Sequence, residues 1–300
     1  MKTGTKAWLI AACILILAGG LLFTFALHVC QWDFANLSTT EFTSHTYEIT
    51  ESFRNIAVNS TTADIVLVPS DTNMCTIECY EKTTAKHTVD VLEGTLTIAV
   101  VEKLQLDNLI SISASKPKIT IYLPKKEYGD LTICLTTGNI TIQQTSHTNI
   151  TVNATTGKIL MDDVFADSME VSVRTGSITL EAIHCTGDIS TQTTTGKMHL
   201  TAVRCNSLRS QGSTGDILLE NVLAWDVISL TRTSGDILLE SCDGSQLFLE
   251  VTTGDITGRL LSDKVFTTHT TTGTVEVPHS VTGGKCELST TTGDIHIAIP

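Results

Sequence analysis

Signatures of catalysis are missing from this 300-residue sequence. It has no GxSxG, no phosphate-binding loop and no HExxH, so no common nucleophile, nucleotide or zinc arrangement is signalled. No CxxC pair occurs, and the nine cysteines are an odd number that includes Cys13 inside an apolar run. Neither a zinc ribbon nor a dense disulfide framework is implied. Aromatic residues make up 5%, and beyond residue 131 only Phe165, Trp225, Phe248 and Phe266 remain, too scattered for a sugar-stacking platform. Positive charge is scarce as well. All 32 acidic residues lie beyond residue 27 against 17 of the 19 basic ones, a formal charge of −15 for that part. This charge disfavours nucleic acid and anionic lipid surfaces as partners.

One long apolar run is present, Ala7 to Leu27, without a formal charge. At 1.5 Å per residue a helix of this length matches a hydrocarbon core of about 30 Å. Lys2 and Lys6 precede the run and no Lys or Arg follows before Arg54. The expectation is a single-pass transmembrane helix at the cell membrane, with a cytoplasmic N-terminus and an extracytoplasmic remainder. A cleaved signal peptide fits less well, because Ala26-Leu27-His28 is a poor small-x-small site. Cys30 follows His28 and Val29, not the small residues that precede a lipid-modified cysteine. Trp32 and Phe34 are candidates for the lipid interface.

The main signal is a repeat. Gly138, Gly157, Gly176, Gly196, Gly215, Gly235, Gly254, Gly273 and Gly293 recur every 19 or 20 residues, each preceded by Thr or Ser. Two residues after each Gly the side chain is apolar, from Ile140 to Ile295. It is apolar again seven residues before, from Leu131 to Cys286. Between these marks apolar residues alternate, as in Ile228-Ser229-Leu230, the period of a strand with one buried face. Gly sits where the chain turns, at a place that calls for positive φ. The pattern predicts an all-β fold, a parallel β-solenoid of 19- to 20-residue coils stacked about 4.8 Å apart. Right-handed winding follows from the hand of parallel crossovers.

The expected organisation is a tail at 1–6, the helix at 7–27, a linker at 28–45, an irregular β region acting as a cap at 46–130, and the solenoid at 131–300. Thr61-Thr62-Ala63-Asp64-Ile65 reads as a decayed copy of the repeat. The apolar segment with Trp32-Asp33-Phe34, the run SFRNIAVNSTTADIVLVPS, SKPKITIYLP and the serial TTGDI units resemble the bacterial "putative adhesin" family, a domain of unknown function. The resemblance implies a cell-envelope protein with a β-solenoid and no catalytic residues. Asn139, Lys158, Ser177, Lys197 and Thr274 depart from the TTGD pattern.

Asp216, Asp236 and Asp255 hold one position in successive coils, with Asp294 beyond Thr274. Stacked carboxylates of this kind suit turn capping first, a weak cation site second and a glycosidase pair third. The Thr column reads as hydroxyl ladders rather than as an ice-binding face. His184, His199, His269, His279 and His296 fall at unrelated positions, so they do not form a metal site. Cys185 and Cys205 lie nine residues after their register glycines and should be neighbours in adjacent coils. Ile295, Ile297 and Ile299, at the C-terminal strand, are expected to form an open edge for self-association or for a partner strand. The functional reading is a non-catalytic surface binding or adhesin-like module with no cofactor, whose partner is a protein or glycan at the cell surface. A sensory or scaffolding part of an envelope-stress system is the alternative, and a solenoid polysaccharide hydrolase the second alternative.

Overall fold

A computed structural model describes residues 3–29, 41–102 and 116–299. Cys30, Trp32 and Phe34 lie outside the described residues. A helix forms at Thr3–Val29. Among the described residues, however, no helix is long and apolar enough to cross a membrane. The single-pass anchor is corrected accordingly, and so is the membrane localisation with an inside N-terminus and an outside β region that depended on it.

Most of the remaining described chain is a parallel β-solenoid. Each register glycine turns the chain at positive φ, from 124° to 151°. A methyl group there would also lie only 1.7–2.5 Å from a backbone carbonyl oxygen of the neighbouring coil. Conformation and space thus both require glycine. The amide of each corner bonds to the next coil, as Gly157 N–H does to the Thr175 carbonyl at 3.0 Å. A second corner follows six residues later, where Gln144, Asp163, Ala182, Ala202, Asn221 and Ser241 all have φ of 49–57°. These side chains share no property that marks the turn in the sequence.

Inside, the two apolar columns stack in register, as Met169 beside Ile150 and Ile189, and Ile217 beside Met198 and Ile237. Nearly every member is buried. Phe266, which is half-buried, and Val275, which is exposed, are the departures, and both belong to one coil.

That coil marks where stacking order and chain order part. The Gly254 coil pairs with the last coil, Leu247 opposite Cys286 and Ile256 opposite Ile295. The Gly273 coil stacks outside it, Phe266 opposite Cys286 and Val275 opposite Ile295. The last coil is therefore inserted between the two that precede it in sequence. Its inward residues Cys286, Leu288, Ile295 and Ile297 are all buried, whereas the outer coil turns Phe266, Thr268 and Thr270 inward. Placing the more apolar coil where both faces are covered removes more apolar surface from water. Gly283 and Gly284 thread this insertion past the carbonyls of Asp263 and Ser245. Lys264 reaches Asp243 at 2.6 Å and ties the outer coil to a deeper one.

The other end is interleaved too. Asn55–Thr62 and Asp64–Pro69 form a coil stacked on the Gly138 coil, and Thr95–Glu102 with Lys118–Leu123 form a layer outside it. Ala63 takes the corner, and Asp64 Oδ1 accepts from the Asn139 amide at 2.8 Å. Three strands then close this end. Cys75–Lys82 runs antiparallel to Lys118–Leu123, Phe42–Ile49 pairs with Cys75–Lys82, and Ala85–Leu92 runs antiparallel to Thr95–Glu102.

Candidate functional site

The polar wall of the solenoid carries an open concavity. Because side chains alternate along a strand, the residue four before each corner points outward, and register pairing lines these residues up across coils. The row runs Ala99, Asn59, Cys134, Asn153, Ser172, Gln192. Two positions further on lies a parallel row of Thr61, Thr136, Thr155, Arg174 and Thr194. Together they line an open trough of about 780 Å³ running along the solenoid axis. Arg174 is its one charged side chain. The same row continues through Gln211, Thr231 and Glu250 to Ser289 and His269, where a second hollow of about 400 Å³ includes Phe248 and Glu287.

The aspartate column is built into the corners. Asp216 Oδ1 accepts from the Asp236 amide at 3.2 Å, Asp236 Oδ1 from the Asp255 amide at 2.9 Å, and Asp255 Oδ1 from the Asp294 amide at 2.7 Å. Asp294 Oδ1 then takes both the amide and the hydroxyl of Thr274. Insertion of the last coil thus makes four aspartates contiguous and puts Thr274 at the end, an order the sequence hides. Lys197 at 2.9 Å, then the Asp236 amide, hold the Asp216 carboxyl below the usual carboxylate value. The Thr274 amide and hydroxyl do the same for Asp294. Among the described residues no group of three or more His, Cys, Asp or Glu is placed to hold a metal ion. One oxygen of each of these carboxylates is already committed to the next coil.

Ile295 and Ile297 do not form an open edge. Their strand lies between Ile256–Leu260 and Val275–Glu276, both side chains are buried, and Ile299 packs against the core. Cys185 and Cys205 do become neighbours, since His184 pairs with Arg204. Both are free thiols, and burial pushes Cys205 up to about 12, so the reactive thiolate is suppressed.

Sequence reasoning missed a buried relay in the closing strands. Glu81, 1% exposed, accepts from the His87 amide at 2.6 Å and from its Nδ1 at 2.8 Å. His87 Nε2 meets Ser60 Oγ at 3.0 Å. The order is that of a nucleophile, a base and an orienting carboxylate. Ser60, however, is an inward residue of its strand and 6% exposed, and its Oγ is engaged with His87. The network instead locks two antiparallel strands to the first coil. It was invisible because strand periods here are irregular and all three residues come from different strands.

Two segments, residues 53–187 and 167–299, match one family, Toastrack DUF4097. The chain belongs to the Toastrack DUF4097 family. The match takes in the β region from the first coil to the inserted last one. Solved structures of low identity are similar to this Toastrack chain as well. A protein from Parabacteroides distasonis named "putative lipid binding protein" is 15% identical with a TM-score of 0.54, over 85% of this chain and 96% of that one. A "putative adhesin" from Bacteroides fragilis is 14% identical with a TM-score of 0.44, over 86% and 97%. Another "putative adhesin", from Parabacteroides merdae, is 13% identical with a TM-score of 0.40, over 73% and 96%. The first of these shares the fold. Among curated proteins nothing matches this Toastrack chain.

Proposed function

We propose that this chain is a non-catalytic binding module that holds a neutral, hydroxyl-rich polymer, an extended glycan, along its lateral trough. The observation that carries this reading is the row Asn59, Asn153, Ser172 and Gln192 flanked by Thr136, Thr155 and Thr194. An amide side chain both donates and accepts, and hydroxyls do the same. Presented about every 4.8 Å along the axis, they match a ligand whose own hydroxyls recur and need both kinds of partner. With Arg174 as its one charge the trough favours no strongly charged ligand, and the chain's formal charge of −13 repels nucleic acid. A lipid chain needs an apolar cavity, which this trough lacks. Peptide strand addition is blocked on this wall because its strands are already paired on both sides.

Binding of the full-length chain to a panel of neutral polysaccharides tests the proposal. Asn153→Ala with Gln192→Ala should weaken binding about thirtyfold, as two lost hydrogen bonds of about 1 kcal/mol each imply. Melting should stay unchanged. No binding to any member of the panel, or binding that the double variant leaves intact, sinks the reading.

A further inference from the structure

The Gly273 coil is the outermost layer at its end, and its strands Lys264–Thr272 and Val275–Glu276 are each paired on one side only among the described residues. The opposite face of this coil offers free backbone N–H and C=O groups. From Val265 to Val275 the edge has no Asp, Glu, Lys or Arg, in a chain of formal charge −13. Val265 and Val275, which lie on it, are 40% and 42% exposed. At the other end of the molecule the corresponding layer is closed by antiparallel strands, and the final edge strands there carry Glu48, Lys86 and Asp90.

We propose that the 264–276 edge is an interface closed by a second copy of this chain, the two edges lying antiparallel across a two-fold axis. An antiparallel strand supplies the missing backbone partners, as the chain's own strands do at its other end. A copy of the same edge sets Thr and Val opposite Thr and Val, a favourable cross-strand pairing for β-branched residues. Charge favours a copy as well. Two molecules this acidic repel over most of their surface, but between Val265 and Val275 these edges meet without a charged residue, Lys264 being buried on Asp243 and Glu276 paired with His296 at the margin. The symmetry closes, so the product is a dimer rather than a fibre.

The test uses the purified full-length chain with Cys13, Cys30 and Cys134 replaced by serine. One form carries His269→Cys, an exposed position of the edge, and a control carries Gln192→Cys on the lateral wall. A short bismaleimide linker should join two copies through the introduced thiols at the edge and not at the wall. Adding Thr267→Lys and Thr271→Lys brings like charges together and should cut the joined fraction about fivefold. Circular dichroism melting verifies that these exposed substitutions leave the coil folded. Edge crosslinking no greater than at the wall, or unmoved by the two lysines, overturns the proposal. Asn153 and Gln192 lie on other coils, so Asn153→Ala with Gln192→Ala should leave crosslinking through His269→Cys unchanged, which keeps this interface separate from the binding reading.

Discussion

At one end of the solenoid the outer layer is finished by strands 75–82 and 85–92, which run antiparallel to it and bury Glu81 against His87, with 42–49 antiparallel to 75–82 beyond. At the other end the chain doubles back, pushes its last coil inward and leaves a threonine-rich coil outermost. The coils between are nearly interchangeable, with the same glycine, the same preceding Thr or Ser and the same two apolar columns. The difference between the ends shows what a repeat does and does not determine. It fixes the path of one coil through short-range pattern, while the order of coils is decided by how much apolar surface each has to bury.

The largest effect should come from the inserted coil. Ile297→Lys places a charge among buried side chains and should cost about 3–5 kcal/mol in chemical denaturation, whereas Val275→Lys on the outer coil should stay within about 0.5 kcal/mol. Equal tolerance at both sites would break the comparison. At the closed end, Glu81→Ala removes the partner of a buried histidine and should cost about 3 kcal/mol, with a lower denaturation midpoint. Glu81→Gln, which keeps an acceptor oxygen, should cost less.

Acid should distinguish the ends next. Burial lowers His147 from 6.5 to about 4, in a stack against Tyr128 near the closed end. A histidine held neutral in the fold binds fewer protons than it does in the unfolded chain. Stability is therefore complete above pH 6.5 and lost as pH falls toward 4, by up to about 3 kcal/mol. His147→Gln should flatten that part of the stability curve, and urea melts at several pH values read it directly.

Two changes in the middle of the solenoid sharpen the comparison by touching neither end. Arg232 is 1% exposed with Nε and Nη2 unpartnered among the described residues, and burial brings it down to about 10. Gly212 beside it leaves the room it occupies. Arg232→Met should stabilise by about 1–3 kcal/mol, since an uncompensated buried charge is replaced by a side chain that needs no partner. Ala202→Gly relieves a left-handed corner at φ 55° and should add about 1 kcal/mol. Thermal melting checks both.

Much of this architecture was legible in the sequence. The glycines, the two apolar columns, the aspartate turns and the Cys185–Cys205 proximity follow from a fixed period, and Ala63-Asp64 extended the pattern one coil earlier. Coil order was not legible, because Gly254 can meet the Gly273 or the Gly293 coil with equal fit of the pattern. The choice rests on Leu288 and Ile297 against Thr268 and Thr270. For that reason the open edge expected at Ile295 and Ile297 moved to Val265–Val275. The second corner was hidden because Gln144, Ala182 and Ser241 signal no turn. The trough residues were visible only as outward polar positions, and stacking them required the register.

Coil order can be measured by paired cysteines. Residues opposite each other in adjacent parallel strands lie about 4.8 Å apart, within the Cα range for a disulfide. Thr253 lies opposite Thr292, and Thr292 lies opposite Thr272. Mild oxidation of the double variant Thr253→Cys with Thr292→Cys should close a disulfide quantitatively, while Thr253→Cys with Thr272→Cys should stay reduced. The opposite outcome, a bond between 253 and 272 and none between 253 and 292, would mean that the coils stack in chain order and that the open edge lies at the C-terminal strand.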